Sequence, residues 1–186
     1  EGDVRVNGKP VTANTVLNNQ DTIATAEGAS VRIVLSDNSV LDIDSGSTIK
    51  LSDYSFNPAA PKENKSDISV VEGTLRYVSG LIAKEDPADI GFTAGNSTIG
   101  VRGSFTGIEV DGANVSVEAM IGEATLVRKG EKGQKDAIVV PTGKATQTDP
   151  KTGEATLGAS TVPDKVNDVV RAIAAAATDA GSGSTD

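Results

Sequence analysis

Arg102 sits between two glycines in the middle of the chain. The stretch Asn96-Ser97-Thr98-Ile99-Gly100-Val101-Arg102-Gly103-Ser104-Phe105-Thr106-Gly107 holds three glycines, one arginine and one of only five aromatic residues in twelve positions. A planar guanidinium in so narrow a frame can bond several carbonyls, a carboxylate or a bound anion. Two readings follow: an anion-binding glycine loop, or a structural crossing point with Arg102 paired internally. The spacing of Gly100, Gly103 and Gly107 is neither the dinucleotide fingerprint nor the phosphate loop, and no helical pattern follows it. Glycine inside an apolar, β-rich run marks a bulge, a tight bend or a close backbone approach. The structural reading is favoured.

Carboxylates offer two further chemistries. Asp42-Ile43-Asp44-Ser45-Gly46-Ser47 through Asp53 vaguely resembles a calcium loop. Its glycine comes one place early, its fifth position lacks Asp or Asn, and Asp53 stands where a bidentate Glu belongs. Strand alternation explains the same residues more simply, with Leu41 and Ile43 inward and Asp42 and Asp44 outward. A carboxylate pair for glycoside hydrolysis is a matter of spatial separation, and nothing in the sequence singles one out. Asn64-Lys65-Ser66, Asn96-Ser97-Thr98 and Asn114-Val115-Ser116 match the glycosylation triplet, which is too common to carry weight.

The chain has no His and no Cys among its 186 residues. That removes thiolate nucleophiles, Ser-His and Cys-His pairs, the usual zinc sites, iron–sulfur clusters and disulfides. The expectation is a non-enzyme with no cofactor and no metal. Net charge is -9, and residues 1–130 carry 18 acidic against 11 basic side chains. Such a surface repels phosphate backbones and anionic lipid, which argues against a nucleic-acid partner. No stretch has the length of a membrane-spanning helix and no signal peptide is visible, so membrane insertion is not expected. The chain opens on Glu1 without Met, as a processed or trimmed chain does.

The elements that must hold these residues read as strands. Val4 and Val6 alternate with Arg5 and Asn7, and Asn7-Gly8 signals a hairpin. Short strands begin near positions 22, 30, 39 and 47, each closed by Ser, Asp, Asn or Gly. Regular turns of this kind point to a meander, a sandwich or short solenoid rungs. Residues 57–67 read as a surface loop, and Lys84-Glu85-Asp86-Pro87 as a polar link. Tyr77 and Phe92 are the expected core aromatics, with Leu75 on the face of Tyr77. Asp111-Gly112 between alternating runs signals a second hairpin.

The expected fold is all-β, a sandwich or solenoid-like domain of short strands over residues 1–130. An extra strand at 137–140 and an extended connector fill out residues 131–162. An amphipathic helix over 163–180 follows, with a flexible tail at 181–186. Val166, Val169, Val170 and Ile173 fall on one apolar stripe of that helix. The stripe docks on the chain's own domain or, as an interaction helix, on a neighbour.

Five motifs in order resemble the FecR domain family. They are Asn19-Gln20-Asp21-Thr22-Ile23-Ala24-Thr25, then Ile33-Val34-Leu35-Ser36-Asp37-Asn38-Ser39-Val40-Leu41, then Gly73-Thr74-Leu75-Arg76-Tyr77. Thr98-Ile99-Gly100-Val101-Arg102-Gly103-Ser104-Phe105 and Ile121-Gly122-Glu123-Ala124 complete the set. The resemblance spans about residues 1–130 and makes Gly100, Val101, Arg102, Gly103 and Phe105 the structural signature. Gln20 and Asn38 stand where that family has Gly, and Ser104 where it has Thr. Phe105 comes one place early, with Thr106 at the aromatic position. The resemblance implies an all-β, extracytoplasmic module that contacts proteins, and it looks more like the stand-alone exported members than the membrane-bound iron-uptake regulators.

The leading functional expectation is an exported protein-interaction or structural module, periplasmic or on a bacterial cell surface. Self-assembly through strand edges and residues 136–186 is a variant of it. The alternative is a soluble FecR-type regulatory sensor that binds a receptor's signalling domain in transmembrane signalling to a sigma factor. A carbohydrate-binding or hydrolytic domain is a third reading, weakened by the scarcity of aromatics for sugar stacking.

Overall fold

The structure is a computed structural model and describes residues 1–12, 15–129, 135–148 and 154–160. Turn chemistry sets its first pairing. β1 (Val4–Val6) and β2 (Lys9–Pro10) form an antiparallel hairpin with Val6 opposite Lys9. Asn7 (φ 51) and Gly8 (φ 76) both take the left-handed backbone that a two-residue hairpin of this twist requires. β3 (Thr22–Thr25), β4 (Val31–Val34), β5 (Val40–Ile43) and β6 (Thr48–Ser55) follow, then the long β7 (Lys65–Val78). After α1 (Leu81–Glu85) come β8 (Ile90–Ala94), β9 (Ser97–Asp111) and β10 (Asn114–Lys129). β11 (Lys135–Pro141), β12 (Lys144–Thr148) and β13 (Ala155–Ala159) close the described chain.

The strands form one hydrogen-bonded sheet that is shared between two layers. One layer runs β2-β1-β3-β6, then the first half of β7, β8, the first half of β9, the second half of β10, and β11. The other runs β4-β5, then the second half of β7, the second half of β9, the first half of β10, β12 and β13. β7, β9 and β10 therefore belong to both layers. The β7–β8 pairing is parallel, and α1 lies in the connection that makes this possible.

The core lies between the layers and is aliphatic, because the sequence supplies few rings. Leu41, Ile43, Leu75 and Ile108 come from one layer and Ile23, Ile49, Ile68 and Ile99 from the other, all fully buried. Tyr77 and Phe92 meet across the layers edge to face, centroids 5.0 Å apart.

The all-β class is as expected. Three local expectations are refined. The expected surface loop over 57–67 holds for residues 57–64, where buried Asn64 pins the turn by accepting from the Asn57 N–H at 2.6 Å, while Lys65–Asp67 already belong to β7. The polar link at 84–87 contains the end of α1. Within residues 131–162 the structure places the extra strand, β11, and two further strands in the described part of the connector. β12 pairs with β10 and β13 pairs with β12, so residues 144–148 and 155–159 extend the sheet in cis. Their sequence is poor in large apolar residues because these strands add at a rim, by backbone bonds. The helix expected over 163–180, with Val166, Val169, Val170 and Ile173, and the tail 181–186 lie outside the described residues.

Candidate functional site

Glycines make the layer changes possible. In β7, Gly73 (φ 83) marks the change, and a Cβ there would lie 2.3 Å from the Ser47 Oγ. That hydroxyl instead accepts from the Thr74 N–H at 2.9 Å. In β9 and β10 the change falls at Gly103 and Gly122, which lie back to back. The pairing slips on either side of Ile121, and Ala119 and Met120 are consecutive buried residues, as a bulge produces. The displaced Gly122 backbone is caught by Thr142: its N–H donates to Oγ1 at 3.0 Å, and the hydroxyl donates back to its carbonyl at 2.6 Å. Ser79 Oγ donates to the Gly103 carbonyl.

The signature residues thus sit at this crossing, with distinct surroundings. Val101 is buried in the core. Gly100 has open space where a Cβ would be, so it is not a close approach. Phe105 is half-buried, while Thr106 takes the inward position opposite Tyr77 and is 1% exposed. Arg102 is exposed and forms no ion pair among the described residues, which corrects its expected internal pairing. Gly103 and Gly122 touch through backbone alone, and alternation from the inward Val101 turns Arg102 to solvent.

The Asp42 and Asp44 carboxylates are held by arginines. Arg32 grips Asp42 through Nε at 2.6 Å and Nη2 at 2.8 Å, and Arg76 reaches Asp44 at 2.7 Å. Hydrogen bonding and charge from Asp42 raise the Arg32 guanidinium above its ordinary value. Among the described residues no group of His, Cys, Asp or Glu is placed to hold a metal ion.

Sequence reasoning missed a buried knot at Asp37. This carboxylate is fully buried and takes hydrogen bonds from Ser39 Oγ at 2.6 Å, Ser39 N–H at 3.2 Å and the Tyr54 hydroxyl at 3.2 Å. The Ile82 N–H points at its other oxygen from 3.5 Å, and the Leu81 N–H donates to its carbonyl at 2.7 Å. Gly80 permits this docking, since a Cβ there would lie 2.4 Å from the Asp37 carbonyl. The β4–β5 turn is thereby tied to α1 and β6. Burial above all, with the Asp37 charge adding, pushes the Tyr54 phenol up to about 12 against the pull of the Asp37 N–H. In sequence Asp37 looked like any turn aspartate; the missed signal was Gly80 two places after Val78, where a strand gives way to a helix.

One surface groove stands out beside β4. It measures about 220 Å³ and is lined by Val4, Val6, Val11 and Leu17 on one side and Val31 and Ile33 on the other. It opens where β1 and β4 face each other across the two layers. Thr12, Thr15 and Arg32 also line it, so its wall is mixed rather than wholly apolar.

The fold and the crossing define an all-β protein whose two layers are joined by glycine-hinged strands. The model of the FecR protein family matches residues 21–125, and the chain belongs to that family. Two solved structures of a candidate anti-sigma factor from Parabacteroides distasonis share its fold. One has 11% identity and a TM-score of 0.57, the other 12% and 0.56. In each case 75% of this chain is covered, but only 59% of the Parabacteroides chain. Identity this low speaks for the fold alone. No curated protein matches the chain.

Proposed function

We propose that this chain is the protein-binding β-module of a FecR-type regulator, placed outside the cytoplasm, which passes a signal on by contact with another protein. The observation that carries this reading is the family match across residues 21–125. The shared fold of the candidate anti-sigma factor supports the same direction. Both favour the regulatory alternative over a structural module. Self-assembly through strand edges and residues 136–186 gains no support, since the described strands of that stretch, β11, β12 and β13, pair within their own chain.

The test is the transcript profile of a strain lacking the chain, with and without a copy restored in trans. The expected result is a change confined to genes served by one alternative sigma factor, reversed on restoration. An unchanged profile with a weakened cell envelope would instead support the structural module. Protease accessibility in intact and osmotically opened cells tests the compartment.

A further inference from the structure

The outer face of the layer that runs from β4 to β13 carries an unbroken apolar row. Val34 stands opposite Val40, Val40 opposite Val78, Val78 opposite Phe105 and Phe105 opposite Ile121. Their chain neighbours Leu41, Tyr77 and Thr106 point into the core, so alternation turns the row outward. Val34 is 63% exposed and the other four are half-buried. None of them belongs to the hydrophobic cluster between the layers or packs against it. At the usual strand spacing the row is about 19 Å long.

Phe105 owes its place here to the one-residue shift in the family signature. A ring at 106 would point at Tyr77, whereas a ring at 105 faces out. Met120 widens the row beside it. Gly107 alternates outward between buried Thr106 and Ile108, and the Met120 Cε lies 3.4 Å from where a Gly107 Cβ would be. Met120 is 2% exposed, yet it too stands outside the cluster between the layers.

The chain leaves β13 on this same face. The Ser160 N–H donates to the Gly143 carbonyl at 3.2 Å, and the Ser160 hydroxyl donates to the Glu118 carboxylate. Glu118 stands opposite Gly107, which is one step along the face, about 7 Å, from Phe105. Six residues after Ser160 the stripe of Val166, Val169, Val170 and Ile173 begins, and Ala174 and Ala177 prolong it. On a helix, Val166 to Ala177 spans about 17 Å, close to the length of the row.

We propose that residues 163–180 pack as a helix on this outer row of their own chain. Val166 and Val169 lie toward Met120 and Phe105, where the chain arrives, and Ile173 lies toward Val40. The tether favours the chain's own segment over any other occupant. A link this short holds the stripe at an effective concentration on the order of millimolar, which a second copy or another protein has to exceed. A protein that uses the outer face of the signature strand must therefore displace this helix. The inference does not depend on the regulatory reading.

The experiment exploits the absence of Cys from the chain. Asp168→Cys, opposite the apolar stripe, places a single nitroxide label on the full chain. Amide resonances are compared with the label oxidised and reduced. In the oxidised state Val78, Phe105 and Ile121 are expected to lose most of their intensity, while Thr93 and Thr98 in the other layer keep theirs. Adding Val169→Asp should restore the lost intensities, and Val169→Leu should leave them lost. The strand resonances in the same spectra report that the sheet is intact in each variant.

Undiminished intensities at Phe105 and Ile121 overturn the proposal, as does a loss that survives Val169→Asp. A loss at these amides in an isotope-labelled chain without the nitroxide, mixed with nitroxide-labelled chains, overturns it in favour of a second copy.

Discussion

Gly103 and Gly122 lie so close across β9 and β10 that a Cβ on either would come within 2.5 Å of the other's Cα. Backbone cannot withdraw from such a contact without undoing the layer change on both strands. Gly122→Ala, which also carries an L side chain at φ 93, is expected to cost about 3 kcal/mol or more. Gly100→Ala, three residues before Gly103 in the same motif and with open space where its Cβ would lie, should stay within about 1 kcal/mol of the parent. Urea midpoints of the two variants decide it, and equal losses would remove the crossing from its place at the centre of the motif.

Two positions where the family resemblance calls for glycine hold strained backbone. Gln20 has φ 73 and Asn38 has φ 65. Gln20 recovers something through its side-chain bond to the Ser52 carbonyl. Asn38 is exposed in the β4–β5 turn, and only the tolerance of Asn for this region offsets its strain. Asn38→Gly should therefore stabilise by about 0.5 kcal/mol, and more than Gln20→Gly does. Paired thermal melts check the order, which is the informative part.

These glycine positions mark how far the sequence could be read. Turn dipeptides and alternation were enough for the β1–β2 and β9–β10 hairpins, and for Tyr77 and Phe92 as the central rings, because each depends on neighbours in sequence. Which strand lies beside which is another matter. β5 and β6 are consecutive, yet they pair with opposite halves of β7, and only Gly73 separates those halves. A glycine in a strand announces a close approach without saying what approaches. The glycines around Arg102 marked a close approach, but that approach is Gly103 against Gly122, twenty residues from Arg102. The side chain of Arg102 alternates outward from Val101. Asp37 is buried by α1, a helix of five residues, too short to leave a periodic pattern.

Thr106 occupies the inward position that an aromatic residue holds in the family signature. Its hydroxyl is buried opposite Tyr77 and has no hydrogen-bond partner among the described residues. Thr106→Val keeps the shape and removes an unpaired polar group, so a gain of about 1 kcal/mol is expected. A loss in the denaturant midpoint would show that the hydroxyl is satisfied in solution.

Asp37 should behave in the opposite way. Removing it strands the Ser39 hydroxyl, the Tyr54 hydroxyl and the N–H groups that point at it. Asp37→Ala is expected to cost about 3 kcal/mol, and Asp37→Asn less, since the amide oxygen can still accept from Ser39. Loss of protection at the Leu81 and Ile82 amides in hydrogen exchange would place the damage at the join between the β4–β5 turn and α1.

Alkaline pH tests the same knot from its other side. Burial first, and the Asp37 charge with it, raise the Tyr54 phenol to about 12 and move the Tyr77 phenol in the same direction. Each therefore holds its proton to higher pH folded than unfolded, where the ordinary value is 10.0. Their contribution is complete below pH 10 and is lost as pH rises toward 12. Lys65, raised by Asp67 and Asp53, acts with the same sign, so the slope alone does not isolate the phenols. Tyr77→Phe does, because the Tyr77 hydroxyl has no partner among the described residues to lose. Its melting temperature should match the parent's near pH 8 and fall less steeply above pH 10. A parallel fall in both proteins would mean that Tyr77 titrates as freely in the folded chain as in the unfolded one.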